Sequence, residues 1–229
     1  MDFGALHLPT LPGPVPPELW ADAGINRVLT VLALLAALLV LRDYFRILPV
    51  LGGCLVRSRG NIEMEHSVSM ARARNRCALA GLLIFCLLAD RFELYPAEFL
   101  TALGYGWSFA ALLDIIAAWL LLRGLFGHIF RKARLDSESR SASLRSLYNY
   151  FLAALPLLLV SAGLVALVGI SDGASRVVFW TESFAVLMIT LVRESQILRS
   201  KYSPLQTFLY LCGLELLPLA ALVTTAAVL

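Results

Sequence analysis

Three carboxyl-bearing residues, Asp114, Glu182 and Glu215, stand inside long apolar runs of the chain. An ionised side chain at the centre of a bilayer costs about 2.5–3.5 kcal/mol on insertion scales, so such residues mark a polar contact or a path for ions or protons. Glu215 is the deepest, about eleven residues or roughly 16 Å into its run at 1.5 Å per residue. Pro218 follows it. Lacking an N–H, Pro218 would leave the Leu214 carbonyl without its helical donor. A carboxyl beside a freed carbonyl can bind a cation or relay a proton. Protonated, Glu215 would serve equally as a hydrogen bond between helices. Asp114 is expected in the inner half of its run. Glu182 is expected near the outer end of its own, beside Trp180, Thr181 and Ser183. At staggered depths the three could line one polar path.

Other residues offer less. Arg72, Arg74 and Arg76 alternate in one polar segment and could hold an anionic lipid headgroup. The need for basic residues on one side of a membrane explains them as well. His128 lies beside Arg131 near an interface, and His7 and His66 lie in polar segments with no second histidine at metal spacing. Gly104 and Gly106 flank Tyr105; this short run reads as close helix packing rather than an ion filter. Cys54, Cys77, Cys86 and Cys212 show no zinc-site spacing and no disulfide framework. No catalytic serine elbow, phosphate loop, metalloprotease helix or dinucleotide fingerprint is present. No metal or cofactor is therefore expected, and the case for an enzyme is thin.

The elements that hold these residues follow from composition. Of 229 residues 59% are hydrophobic and only 15% are charged, far from the roughly one-quarter charged of a soluble domain. The apolar residues fall in blocks long enough to cross the ~30 Å hydrocarbon core as helices. Helices satisfy every backbone group internally, and no alternating barrel-strand pattern is seen. The expected fold is all-α, a polytopic helical bundle with about six crossings near 22–41, 76–94, 99–122, 147–170, 176–192 and 204–228. Residues 1–21, rich in proline, read as an extracytoplasmic tail. The stretch 47–56 is apolar but holds Pro49, Gly52 and Gly53; it reads as interfacial or re-entrant. The serine-rich basic segment 131–145 reads as a solvated loop, 171–175 as a tight turn, and 193–203 as a polar connection.

Charge supports the count of crossings. With six spans, 16 of the 19 basic residues fall on one side, and only Arg27, Arg91 and Arg176 fall on the other. By the positive-inside rule the rich side is cytoplasmic, and both termini lie outside. The net charge of +3 is explained by this orientation and gives no reason to expect nucleic acid. The lipid bilayer is the expected partner, with a membrane-protein partner or a homo-oligomer left open.

The run from Ser195 to Val223, SQILRSKYSPLQTFLYLCGLELLPLAALV, resembles the C-terminal signature of a bacterial family known as domain of unknown function 4271. The positions that carry it are Leu209, Tyr210, Leu211, Cys212, Leu214, Glu215, Leu217 and Pro218. Tyr210 joins Glu215, Asp114 and Glu182 as an intramembrane polar candidate. The resemblance implies a multi-span protein of similar length and a bacterial inner-membrane location, without an activity. Two function classes follow. One is a scaffold or subunit of a cell-envelope complex, its carboxyls holding helices or a partner. The other is a small proton- or ion-coupled carrier component centred on Glu215. A membrane enzyme acting on lipid-linked substrates is a distant third.

Overall fold

The computed structural model describes residues 20, 23–56, 64, 67–95, 97–103, 106–129, 137–199 and 202–228. Among them there is helix and no strand. The helices are α1 (Gly24–Val56), α2 (Val68–Arg91), the short α3 (Glu98–Leu103), α4 (Trp107–Ile129), α5 (Ser137–Val168), α6 (Asp172–Arg199), α7 (Pro204–Leu211) and α8 (Leu217–Val228). A single π turn, Cys212–Leu216, joins α7 to α8. Among the described residues, five stretches are long and apolar enough to cross a membrane: Gly24–Leu55, Trp107–His128, Arg145–Val168, Gly173–Arg199 and Pro204–Thr225. The chain is an all-α, multi-pass membrane bundle.

Contacts between elements run in a circuit. α2 meets α5, α5 meets α6, α6 meets α7, and the π turn and α8 meet α4, which returns to α2. α1 packs along both α2 and α5. Among the described residues, α2 is the one long helix that falls short in apolarity, since Arg72, Arg74, Arg76, Asp90 and Arg91 flank a short apolar core. It buries Ala73, Arg74, Cys77, Ala80, Gly81, Ile84, Cys86, Leu87 and Ala89 against protein. Most of these are small, as close helix approach requires. A Cβ on Gly81 would sit 3.1 Å from Leu155 and 3.2 Å from Phe151 of α5.

Prolines and helix ends are answered by particular side chains. Pro156 lies inside α5 and cannot bond the Leu152 carbonyl; the Tyr44 hydroxyl of α1 donates to that carbonyl at 3.1 Å. The last carbonyls of α1 lack helical donors. Tyr150 donates to that of Cys54 at 3.3 Å and Arg193 to that of Leu55 at 2.5 Å. Ser203 and Gln206 form a reciprocal capping box, with Pro204 opening α7.

Several helix limits differ from those the sequence suggests. α1 does not stop at Arg42 and Arg46 but continues through 47–56, where Ile47, Leu51 and Cys54 are wholly buried. Ile47 and Leu51 pack with Ala73, Cys77 and Leu152. The apolar character of 47–56 thus serves contacts with α2 and α5. The third run is broken at Gly106, whose φ of +84° is open to glycine and strained for other residues. A Cβ there would meet Ile25 at 2.5 Å, so this glycine serves a turn and a close approach together; Gly104 and Tyr105 lie outside the described residues. The α5–α6 turn is 169–171, beginning two residues earlier than 171–175. Gly169, at φ +68°, ends α5 and donates to the Val165 carbonyl at 3.1 Å. α5 begins at Ser137, inside the segment read as a loop, and α6 runs on to Arg199, through the stretch read as a connection. The tail 1–21, apart from Trp20, and most of 57–66 lie outside the described residues.

Candidate functional site

Pro218 cannot donate to the Leu214 carbonyl, and the helix widens just before it. In the π turn the Leu217 N–H reaches back to the Cys212 carbonyl, five residues away. One extra residue is inserted relative to an α-helix, which turns the side chains that follow by about 100°. Glu215 sits in this turn and is buried.

Its partner is Arg123, six residues before the end of α4. Arg123 Nε donates to both carboxylate oxygens, at 3.0 and 2.9 Å. Its Nη2 donates to Oε1 at 2.5 Å. The two side chains are 5% and 3% exposed, so water does not share the interaction. A planar guanidinium meeting a carboxylate through a fork is the strongest geometry such a pair has. It ties α4 to the last helix.

A second carboxyl joins them. Glu194 of α6, five residues before Arg199, is buried and lies within electrostatic reach of both Glu215 and Arg123. Ser143 of α5, also buried, donates to Glu194 Oε1 at 2.6 Å. Ser146 donates to the Ser143 carbonyl at 2.9 Å and is buried beside it. Four elements thus converge: α4 supplies a guanidinium, the π turn and α6 a carboxyl each, and α5 a hydroxyl. Two carboxylates facing one guanidinium would leave a net charge of −1, which one added proton would remove. With that proton, the guanidinium and the remaining carboxylate balance to zero net charge, which a low-dielectric interior favours. Chemically the cluster can lock helices, or load and release a proton. Among the described residues, no group of three His, Cys, Asp or Glu side chains could hold a metal.

The profile of a family described as Domain of unknown function (DUF4271) matches residues 57–225. The chain belongs to this family. The DUF4271 match runs from before α2 into α8, so it takes in Asp114, Arg123, Ser143, Glu194 and Glu215 and leaves α1 outside. Comparison with curated proteins and with solved structures finds no match.

Within the DUF4271 region the residues singled out from sequence go to different places. Glu215 is at the buried cluster. Glu182 accepts a hydrogen bond from Ser161 across the α5–α6 hairpin. Asp114, the eighth residue of α4, is exposed on the outer surface of the bundle and lies in the first half of its helix. That half changed because α4 starts at Trp107 rather than near 99. No side-chain contact joins these three. Tyr210 stacks near Tyr202, ring centroids 5.0 Å apart. Arg72, Arg74 and Arg76 diverge, since positions two apart on a helix face different ways. Arg72 is exposed, Arg74 is wholly buried and bonds Asn75 Oδ1, and Arg76 pairs with Asp43 at 2.8 Å. They do not form one headgroup clamp.

Glu194 and Ser143 escape a reading of the sequence because each lies in a stretch read as a connection or a loop, and Arg123 because it directly follows the third crossing, where orientation explains a basic residue. A signal was present for two of them. Thr190, Glu194, Ile197 and Leu198 recur at helical spacing and are all buried, as are Ser143, Ser146 and Asn149.

Proposed function

We propose that the chain is a membrane-embedded subunit or scaffold of a cell-envelope complex, with α2 as a sixth crossing, both termini outside and the basic helix ends in the cytoplasm of a bacterial inner membrane. The observation that carries this reading is Asp114. Ionisable residues within membrane helices almost always face protein or water, yet Asp114 is exposed on α4 and makes no hydrogen bond or ion pair among the described residues. Ala118, Leu121 and Leu125 share its face at spacings of four, three and four, and all are exposed. Such a seam suits knobs-into-holes packing, with one polar position fixing register. The occupant is a helix of another subunit that presents a cationic or amide donor opposite Asp114. The locked Arg123–Glu215 pair supports a rigid scaffold behind that seam. Purification in mild detergent tests the reading. Wild type is expected to carry a stoichiometric membrane partner, and Asp114→Leu to lose it while melting at the same temperature. A wild-type chain that elutes alone, or a variant that keeps the partner, would defeat the reading.

One observation favours a second reading, a proton-coupled carrier component: two buried carboxyls, Glu194 and Glu215, act on one buried arginine, Arg123. In proteoliposomes carrying an internal pH dye, this reading expects proton flux that Glu194→Gln abolishes. Absence of flux from wild type would exclude it.

A further inference from the structure

We propose that the α1–α2 cleft binds the phosphate of an anionic phosphomonoester lipid at the basic side of the bundle. The cleft is a half-open groove of about 500 Å³, lined by Leu39, Arg42, Asp43 and Arg46 of α1 and by Arg76 of α2. The four α1 positions follow the i, i+3, i+4, i+7 rule, so they form a single stripe along one face. Three guanidiniums and one carboxylate leave a net charge of +2, which matches the phosphomonoester charge of about −1.5 to −2 at neutral pH.

The arginines are held without being used up. Arg76 is fixed by Asp43 at 2.8 Å, yet its side chain is 65% exposed while that of Asp43 is 19% exposed. Arg46 is steadied by Ser69 Oγ of α2 at 3.2 Å. Arg42 has no hydrogen bond or ion pair among the described residues. A guanidinium has five donors, so each of the three keeps hydrogen-bonding capacity for a phosphate. Positioning by the opposite helix reduces the ordering cost of binding.

What lies beyond the cleft selects a lipid over free phosphate. Leu39 is 83% exposed at its edge, and Leu35, Leu32 and Val28 continue the same face, all exposed. From Val28 to Leu39 is about 16 Å, close to half of the ~30 Å hydrocarbon thickness. One face of α1 therefore reads as an acyl-chain track that ends in a phosphate clamp. Arg72 and Arg74, the other members of the alternating run, have no part in it.

The test uses the full chain in phosphatidylcholine nanodiscs, with and without phosphatidic acid, and native mass spectrometry to count retained lipid. Wild type is expected to retain phosphatidic acid and not phosphatidylcholine. Arg42→Gln with Arg46→Gln should weaken retention roughly thirtyfold, from about one charge contact each. Arg42→Gln alone, at an exposed position, should weaken it by about fivefold and guards against misfolding of the double variant. Millimolar inorganic phosphate should not displace the lipid. Equal retention by the variants would overturn the site. Full displacement by inorganic phosphate would overturn the assignment to lipid.

Discussion

Replacing Arg123 by methionine should strand the Glu215 carboxylate in a site with almost no water. The three donor–acceptor distances of 2.5–3.0 Å and the side-chain exposures of 5% and 3% place this pair among buried ones. Removing one partner of a buried pair costs about 3–5 kcal/mol. That corresponds to roughly two to four powers of ten in the folding equilibrium at 1.4 kcal/mol per decade. For a chain of this size it is a fall of about 6–20 °C in Tm, taking 2–4 °C per kcal/mol. The partner substitution supplies the sharper measurement. Arg123→Met together with Glu215→Leu replaces both charges by apolar groups, and such replacement of a buried pair is close to neutral or stabilising. The double variant should therefore regain most of the lost stability, giving a coupling energy of at least ~2 kcal/mol in the mutant cycle. The cycle is read by fluorescence-monitored melting in detergent, with the Glu194→Gln background as a control for the second carboxyl. If Arg123→Met melts within 2 °C of wild type, or the double variant is no better than the single, the pair does not hold α4 to the last helix and the reasoning fails; that threshold is about 1 kcal/mol.

Two further outcomes follow from packing and from the serine face. Gly81→Val should lower stability by about 1–3 kcal/mol through overpacking, since even a Cβ would press on Leu155 and Phe151; adding Leu155→Ala should return part of the loss, and thermal melting of both checks it. Ser143→Ala removes the 2.6 Å donor to the buried Glu194 and should cost about 1.5–3 kcal/mol, whereas Ser143→Thr, which keeps the hydroxyl, should cost less in the same melting assay.

The long apolar blocks make the helical bundle legible in the sequence alone, because hydropathy over twenty residues is a solvent argument and needs no partner. Helix ends were less legible. At 47–56 the sequence shows Pro49 and two glycines, which local preference reads as a break, yet burial of Ile47 and Leu51 on α2 and α5 carries the helix through. At 193–199 the charges of Arg193 and Glu194 read as a loop, but each finds a fixed acceptor or donor in the bundle. Glu215 stood out because a carboxyl in an apolar run is costly on its face. Its partner did not, since Arg123 closes an apolar run as many orienting arginines do, and the 92-residue separation from Glu215 leaves no local trace. The π turn was half visible: Pro218 announces a missing hydrogen bond but not how the helix accommodates it.

The inserted residue at 212–216 also makes the last crossing two rods with a joint between them. The far rod is pinned at its own end, where the Tyr95 hydroxyl lies 2.6 Å from Thr225 and 3.3 Å from the Leu222 carbonyl. Deleting any single residue from the joint would leave a plain helix whose end is swung by about a third of a turn, so that either the tyrosine anchor or the arginine fork must let go. The chain length between Ser203 and Thr225 is thus set to the residue, and a hydrophobic segment of equal greasiness but one residue shorter could not take its place.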